Sequence, residues 1–322
     1  MNNLINLARH LPIGEPVPAL SISRVVLAAP RRGLPLELRL TAPAVGDDLP
    51  ILLLSHGHGP SLYTPSKDGY GPLANFLAEQ GFVVIQPTHL NSKVAGLGAD
   101  APGAPLFWRS RVEDMSLIID QLDEIQAQAP FVAGRWNKAR IAALGHSLGG
   151  QTVGMLLGAR LNDPQDPAAT NVNLFEPRIK AGVLLAPPGN GGADLSAFAA
   201  EHYSALNPDF SHMVTPTLVV TGDSDASPHL TVRGVDWHAD AYHCSPGRKT
   251  LLVLTGGKHG LGGVAGYDAA ETDDENPDRL AATQRLTAAY LRSALTGDDG
   301  AWAQACEALS GSASALGHVE SK

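Results

Sequence analysis

The chain has 322 residues, 44% of them hydrophobic and 17% charged, with a formal net charge of −9. That length suits one large α/β domain or two small ones, and the composition suits a well-buried core rather than an extended or disordered chain. An acidic surface without any Lys/Arg run repels nucleic acid, so no nucleic-acid partner is expected.

Two cysteines, Cys244 and Cys306, are too few for a disulfide framework and lack metal-ligand spacing. Two unpaired thiols in a reducing compartment are the expectation. The first stretch, Met1–Ile13, is broken by Asn2, Asn3, Asn6, Arg9 and His10 and shows neither an unbroken apolar run nor a small-residue cleavage site. No secretory signal is read there, and no run of about 18 apolar residues spans a membrane. A cytoplasmic protein is expected.

In chain order, Ser21–Ala28 and Leu34–Thr41 are β-rich runs around the turn Pro30-Arg31-Arg32-Gly33, which predicts a hairpin. Ile51–Leu54 is a short continuous apolar run of the kind buried in a parallel sheet. A helix is predicted over Tyr70–Gln80 and a strand over Phe82–Gln86. In Arg111–Gln126 the residues Met115, Ile118, Ile119, Leu122 and Ile125 form one apolar helical stripe, with Glu113, Asp114, Asp120 and Glu124 mostly off it. Then come a strand over Ile141–Leu144, a helix over Gly149–Leu161, and strands over Ala181–Ala186, Leu218–Thr221 and Leu251–Thr255. A closing helix covers Asp278–Leu295, and Gly300–Lys322 reads as a short helix with a loose tail. Strands alternating with helices imply a mostly parallel sheet with helices on both faces, in a single α/β domain with its core over about residues 20 to 295.

The chemistry centres on Gly145-His146-Ser147-Leu148-Gly149, a G-x-S-x-G motif that directly follows one predicted strand and precedes a helix. In that setting a sharp turn holds the Ser147 hydroxyl outward, and side chains at Gly145 and Gly149 would collide across it. A serine hydroxyl needs a base, and the base needs an orienting acid. Leu251–Thr255 runs into Gly256-Gly257-Lys258-His259-Gly260, which makes His259 the candidate base. Leu218–Thr221 runs into Gly222-Asp223-Ser224-Asp225, which offers two candidate acids, the other being a turn cap. The oxyanion hole requires two backbone N–H groups. Leu148, after the nucleophile, supplies one, and by position His58 in the loop Ser55-His56-Gly57-His58-Gly59-Pro60 supplies the other. His56 and His58, with His89, also fit a metal pair, as do His238 and His243 with Asp236 and Asp240. The first set has no carboxylate ligands nearby, and solvated helix faces account for the second. No metal and no cofactor are expected.

Together, Ser55-His56-Gly57, Gly145-His146-Ser147-Leu148-Gly149-Gly150, Gly222-x-x-Asp225 and Lys258-His259-Gly260 resemble the α/β-hydrolases. The chain is similar to the dienelactone-hydrolase-like branch that includes platelet-activating-factor acetylhydrolases and chlorophyllases. Trp108–Asp114, Pro87-Thr88-His89 and Asn91-Ser92 add to that likeness. Where dienelactone hydrolases carry a cysteine nucleophile, this sequence has Ser147. The resemblance implies the α/β-hydrolase fold and, because the family's acid follows the strand-ending glycine by three residues, Asp225 as the acid. It implies ester hydrolysis through an acyl-enzyme, on a small ester with an apolar acyl or alcohol part. Leu195, Phe198, Tyr203, Phe210 and Met213, in an insertion over 187–214, are candidates to line that site, beside a second insertion over 227–248. The loop Val94–Pro105 with Leu106, Phe107 and Trp108 is expected at its mouth. An amidase or peptidase of the same fold and a non-catalytic binding protein are the alternatives.

Overall fold

The computed structural model describes residues 4–59, 61–266, 273–297 and 299–322; residues 1–3, at the head of the segment read for a leader, and Pro60 of the oxyanion loop lie outside them. The chain opens with β1 (Ala19–Leu27), β2 (Leu36–Pro43) and β3 (Leu49–Ser55), then α1 (Gly71–Glu79) and β4 (Val83–Pro87). Next come α2 (Trp108–Asp120), α3 (Leu122–Gln128), β5 (Trp136–His146) and α4 (Leu148–Leu156). After a two-residue pair, β6 (Arg160–Leu161) and β7 (Val172–Asn173), the order is β8 (Ile179–Leu185), α5 (Ala197–His202), β9 (Thr217–Gly222), α6 (Asp240–His243) and β10 (Lys249–Leu254). The chain closes with α7 (Pro277–Thr296), α8 (Asp299–Ser310) and β11 (Gly317–Ser321).

Nine strands form one sheet in the order β1-β2-β4-β3-β5-β8-β9-β10-β11. The six from β4 to β10 run parallel, β2 on one side and β11 on the other run against them, and β1 pairs antiparallel with β2. The continuous apolar runs of the sequence are explained by this burial. Along β3, Ile51 and Leu53 face one core with Met115, Ile118 and Leu122, while Leu52 and Leu54 face the opposite core with Leu73, Leu77 and Leu286. Helices therefore cover both faces, and each fully buried leucine contributes about 1.5–3 kcal/mol. The carboxyl ends of the parallel strands lie along one edge, where an open α/β sheet places its ligands.

Three elements depart from the sequence expectations. The helix predicted over Arg111–Gln126 breaks at Gln121 (φ −111°, ψ 27°). Beyond the break α3 docks on β1, where the Gln128 amide binds both the N–H and the carbonyl of Val26. The helix predicted over Gly149–Leu161 stops at Leu156, because Gly158 takes φ 115° and a Cβ there would lie 2.6 Å from the His212 carbonyl oxygen. The loose tail is instead edge strand β11, joined to β10 from Thr250–Ser321 to Leu254–Gly317. Its one apolar side chain, Val319, leaves no alternation for a sequence to show. No helix among the described residues is long and apolar enough to cross a membrane, and Cys244 and Cys306 are unbridged.

Candidate active site

Between β5 and α4, Ser147 takes φ 53° and ψ −124°, a conformation that non-glycine residues adopt only when the surroundings impose it. The surroundings do. A Cβ on Gly145 would lie 2.0 Å from the Gly149 carbonyl oxygen, and one on Gly149 2.0 Å from that of Ser55. The glycines thus permit both the elbow and its contact with the end of β3. Gly149→Ala is expected to lose more than about 3 kcal/mol of stability or not to fold at all. Thermal unfolding measures this; a variant that melts with the wild type would show that the contact is not tight.

The ends of β9 and β10 bring the other two residues to Ser147. His259 Nε2 lies 2.9 Å from Ser147 Oγ, and His259 Nδ1 lies 3.0 Å from Asp225 Oδ2. Since a carboxylate only accepts, Nδ1 carries the proton and Nε2 faces the hydroxyl with its lone pair. Of the two acids, Asp225 is buried and makes this contact. Asp223 is exposed and caps the neighbouring turn, its Oδ1 accepting from Gly256 N–H at 2.7 Å. Burial pushes the Asp225 carboxyl up, but the His259 hydrogen bond and the nearby imidazoles outweigh it and hold the group below the ordinary value.

Two further histidines that the sequence reading did not place belong to this cluster. His146 Nε2 donates to the His259 carbonyl at 2.7 Å, so its Nδ1 accepts from Tyr70 O–H at 2.8 Å, and Tyr70 accepts from Gly57 N–H at 3.0 Å. That chain ties the loop after β3 to the backbone of His259. His238 is no solvated helix residue: it is 1% exposed, with Nδ1 2.8 Å from the Pro187 carbonyl and Nε2 3.4 Å from Asp225 Oδ2. Asp240 is also buried, paired with Arg233, whereas Asp236 and His243 are exposed.

Behind the loop after β3 lies a buried polar layer. Arg111, fully buried, binds Thr152 Oγ1 at 2.8 Å, Ser55 Oγ at 3.1 Å, Asn91 Oδ1 and the His56 carbonyl. Ser55 meets His89 Nε2 at 3.0 Å, and His89 Nδ1 meets Asp114 Oδ2 at 2.8 Å, with Arg32 pairing the other carboxylate oxygen at 2.9 Å. The segments around His89, Asn91 and Arg111–Asp114 thus converge here. Their signal was present in the sequence. Arg111 and Asp114 each lie four residues before an apolar stripe position, Met115 and Ile118; Asp114, read above as off the stripe, is instead buried with Arg111 on the inward side. His56 donates Nδ1–H to Gly57 O at 2.7 Å and accepts from His89 N–H at 3.0 Å, which engages both ring nitrogens the metal reading would need.

Burial lowers the pKa of His56 and His89 well below the ordinary value and that of His146 to about 3, so these three stay neutral in the fold, and it lowers that of His238 in the same direction. Below about pH 6.5 the unfolded chain takes up protons on these residues and the native protein does not, so stability falls with pH. Asp114, pushed by burial to about 7 from 3.8, acts in the opposite sense. The three neutral histidines outweigh it. Urea unfolding should give a lower free energy at about pH 5.5 than at about pH 7.5; an equal or higher value would contradict the neutral assignments.

A cavity of about 720 Å³ opens over Ser147 and is lined by His58, Leu106, Leu148, Phe198, Tyr203 and Leu230 among others. Both insertions contribute to its wall, as expected, through Phe198, Tyr203 and Leu206 from one and His229 and Leu230 from the other. Leu195, Phe210 and Met213 belong to the core instead; of the segment expected at the mouth, Leu106 lines the cavity, Phe107 and Trp108 are buried, and no residue of 94–105 is among its described lining residues. His58 and Leu148 both line it, and a Cβ on Gly57 would lie 3.3 Å from Ser147 Cβ, so the loop passes directly over the elbow. Among the described residues one set of side chains converges closely enough to hold a metal ion: Asp225, His238 and His259. No family model matches the chain, and no curated protein matches it.

Proposed function

We propose that the protein is a serine hydrolase with the α/β-hydrolase fold that cleaves carboxylic esters through an acyl-enzyme. The observation that carries this reading is the unbroken line Ser147 Oγ, His259 Nε2, His259 Nδ1, Asp225 Oδ2, with separations of 2.9 and 3.0 Å, on a strained strand-to-helix elbow that opens into a cavity. Nucleophile, base and orienting acid lie within hydrogen-bond reach in the roles the chemistry requires.

In this reading Ser147 Oγ attacks the ester carbonyl while His259 Nε2 takes its proton, and Asp225 holds the imidazole in the correct tautomer and stabilises its charge. The N–H of Leu148 opens α4, where no helical carbonyl accepts it and the helix dipole favours negative charge. With the His58 N–H it stabilises the tetrahedral oxyanion. His259 then protonates the departing alcohol, and water repeats the sequence on the acyl-enzyme. The leucine and aromatic wall of the cavity suits an apolar acyl or alcohol part.

The test is a panel of p-nitrophenyl esters of increasing chain length beside matched anilides. Ester turnover without measurable anilide turnover supports an esterase. Equal or higher anilide turnover makes the protein an amidase, and no turnover of either contradicts the reading.

A further inference from the structure

The mechanism above uses Asp225 and His259 but leaves His238, which points at the same carboxylate oxygen. We propose that Asp225 Oδ2, His238 Nε2 and His259 Nδ1 form a binding site for Zn²⁺, and that the bound ion switches the hydrolase off.

Two imidazoles and a carboxylate are a donor set that Zn²⁺ favours and that Mg²⁺ and Ca²⁺ do not. Asp225 Oδ2 lies 3.4 Å from His238 Nε2 and 3.0 Å from His259 Nδ1, and the ligand atoms of the three residues all fall within 4.8 Å of one another. Neighbouring ligands of a tetrahedral zinc with bonds of 2.0–2.1 Å are separated by about 3.3 Å. Small side-chain rotations therefore suffice. His238 is already oriented as a ligand: its Nδ1–H donates to the Pro187 carbonyl at 2.8 Å, the outer hydrogen bond that fixes the tautomer of a metal-bound imidazole. Ser227 Oγ, 3.1 Å from Nε2, now donates its hydroxyl proton there and turns aside when the metal takes the lone pair. Asp225, Ser227 and His259 all line the cavity over Ser147, which gives the ion a path from solvent.

Binding displaces the proton from His259 Nδ1, and the ring regains it from solvent at Nε2, so no net proton is released and nothing is oxidised or reduced. Nε2–H then faces Ser147 Oγ and can no longer accept its proton. Inhibition rests on the hydrolase reading; metal binding does not.

The experiment titrates full-length wild type, Ser147→Ala, His238→Gln and Cys244→Ser with ZnCl₂ by calorimetry, and follows ester turnover in parallel. Wild type, Ser147→Ala and Cys244→Ser should each bind one ion with the same affinity, and His238→Gln should bind at least about tenfold more weakly. Zn²⁺ should inhibit the wild type reversibly, with EDTA restoring activity and Mg²⁺ without effect. Equal binding by His238→Gln and wild type, or no binding at micromolar Zn²⁺, overturns the site. Should His238→Gln not fold, Zn²⁺-soaked wild-type crystals decide: an anomalous peak between Asp225, His238 and His259 supports the proposal, and a peak elsewhere overturns it. If the wild type hydrolyses nothing, the hydrolase reading fails while calorimetry still judges the metal site.

Discussion

Ser147→Ala is expected to lose on the order of 10⁶ in kcat, leaving only what the oxyanion donors and binding supply. The hydroxyl lies in line with His259 Nε2, at 2.9 Å. Removing one oxygen from a half-buried side chain leaves the elbow's main-chain bonds in place, including Ser147 N–H to Leu185 O at 2.9 Å. Melting temperature should therefore hold while turnover disappears. His259→Ala should cost nearly as much, and the double variant little more than either alone, because the residues act as a unit. Steady-state kinetics with purified protein check this. Ser147→Ala activity above a few per cent of wild type, on the order of 10⁻² or more, would remove Ser147 as the nucleophile.

Asp225→Asn should cost on the order of 10⁴ in kcat with little change in fold. The amide is nearly the same shape as the carboxylate, but its N–H₂ can face His259 Nδ1 only if that nitrogen accepts. The imidazole proton then moves to Nε2, the nitrogen that must take the proton of Ser147. Asp223→Asn, two residues away, changes a turn cap on Gly256 N–H and should cost about 1 kcal/mol of stability and little turnover. The pair separates the two acids that the sequence alone left open. Comparable losses in both variants would mean that the loop as a whole, rather than the Asp225 contact, matters.

Much of this was legible in the sequence for a physical reason. Parallel strands buried on both faces must be continuously apolar, so Ile51–Leu54 and Leu218–Val220 announce themselves, and the helix that follows a strand through Gly-x-Ser-x-Gly leaves little freedom at the turn. What was missed depends on contacts between distant residues. His238 reads as one polar residue in a polar stretch, and only the packing of Val235–Ala239 against the end of β9 brings it to Asp225. The Arg111 layer was missed: Asp114 was read as off the apolar stripe, and the partners of Arg111, Ser55, Asn91 and Thr152, lie on three other segments. The edge strand β11 was invisible because pairing with β10 is main-chain and needs no apolar side chains.

The most direct test of the central claim is the site of covalent capture by a fluorophosphonate. These reagents phosphonylate a serine, with loss of fluoride, only where a base activates it and oxyanion donors receive the charge. Incubation of the folded protein followed by peptide mass mapping should find one adduct, on Ser147, absent after heat denaturation and absent in His259→Ala. No adduct on the folded protein, or an adduct on a different residue, would contradict the account.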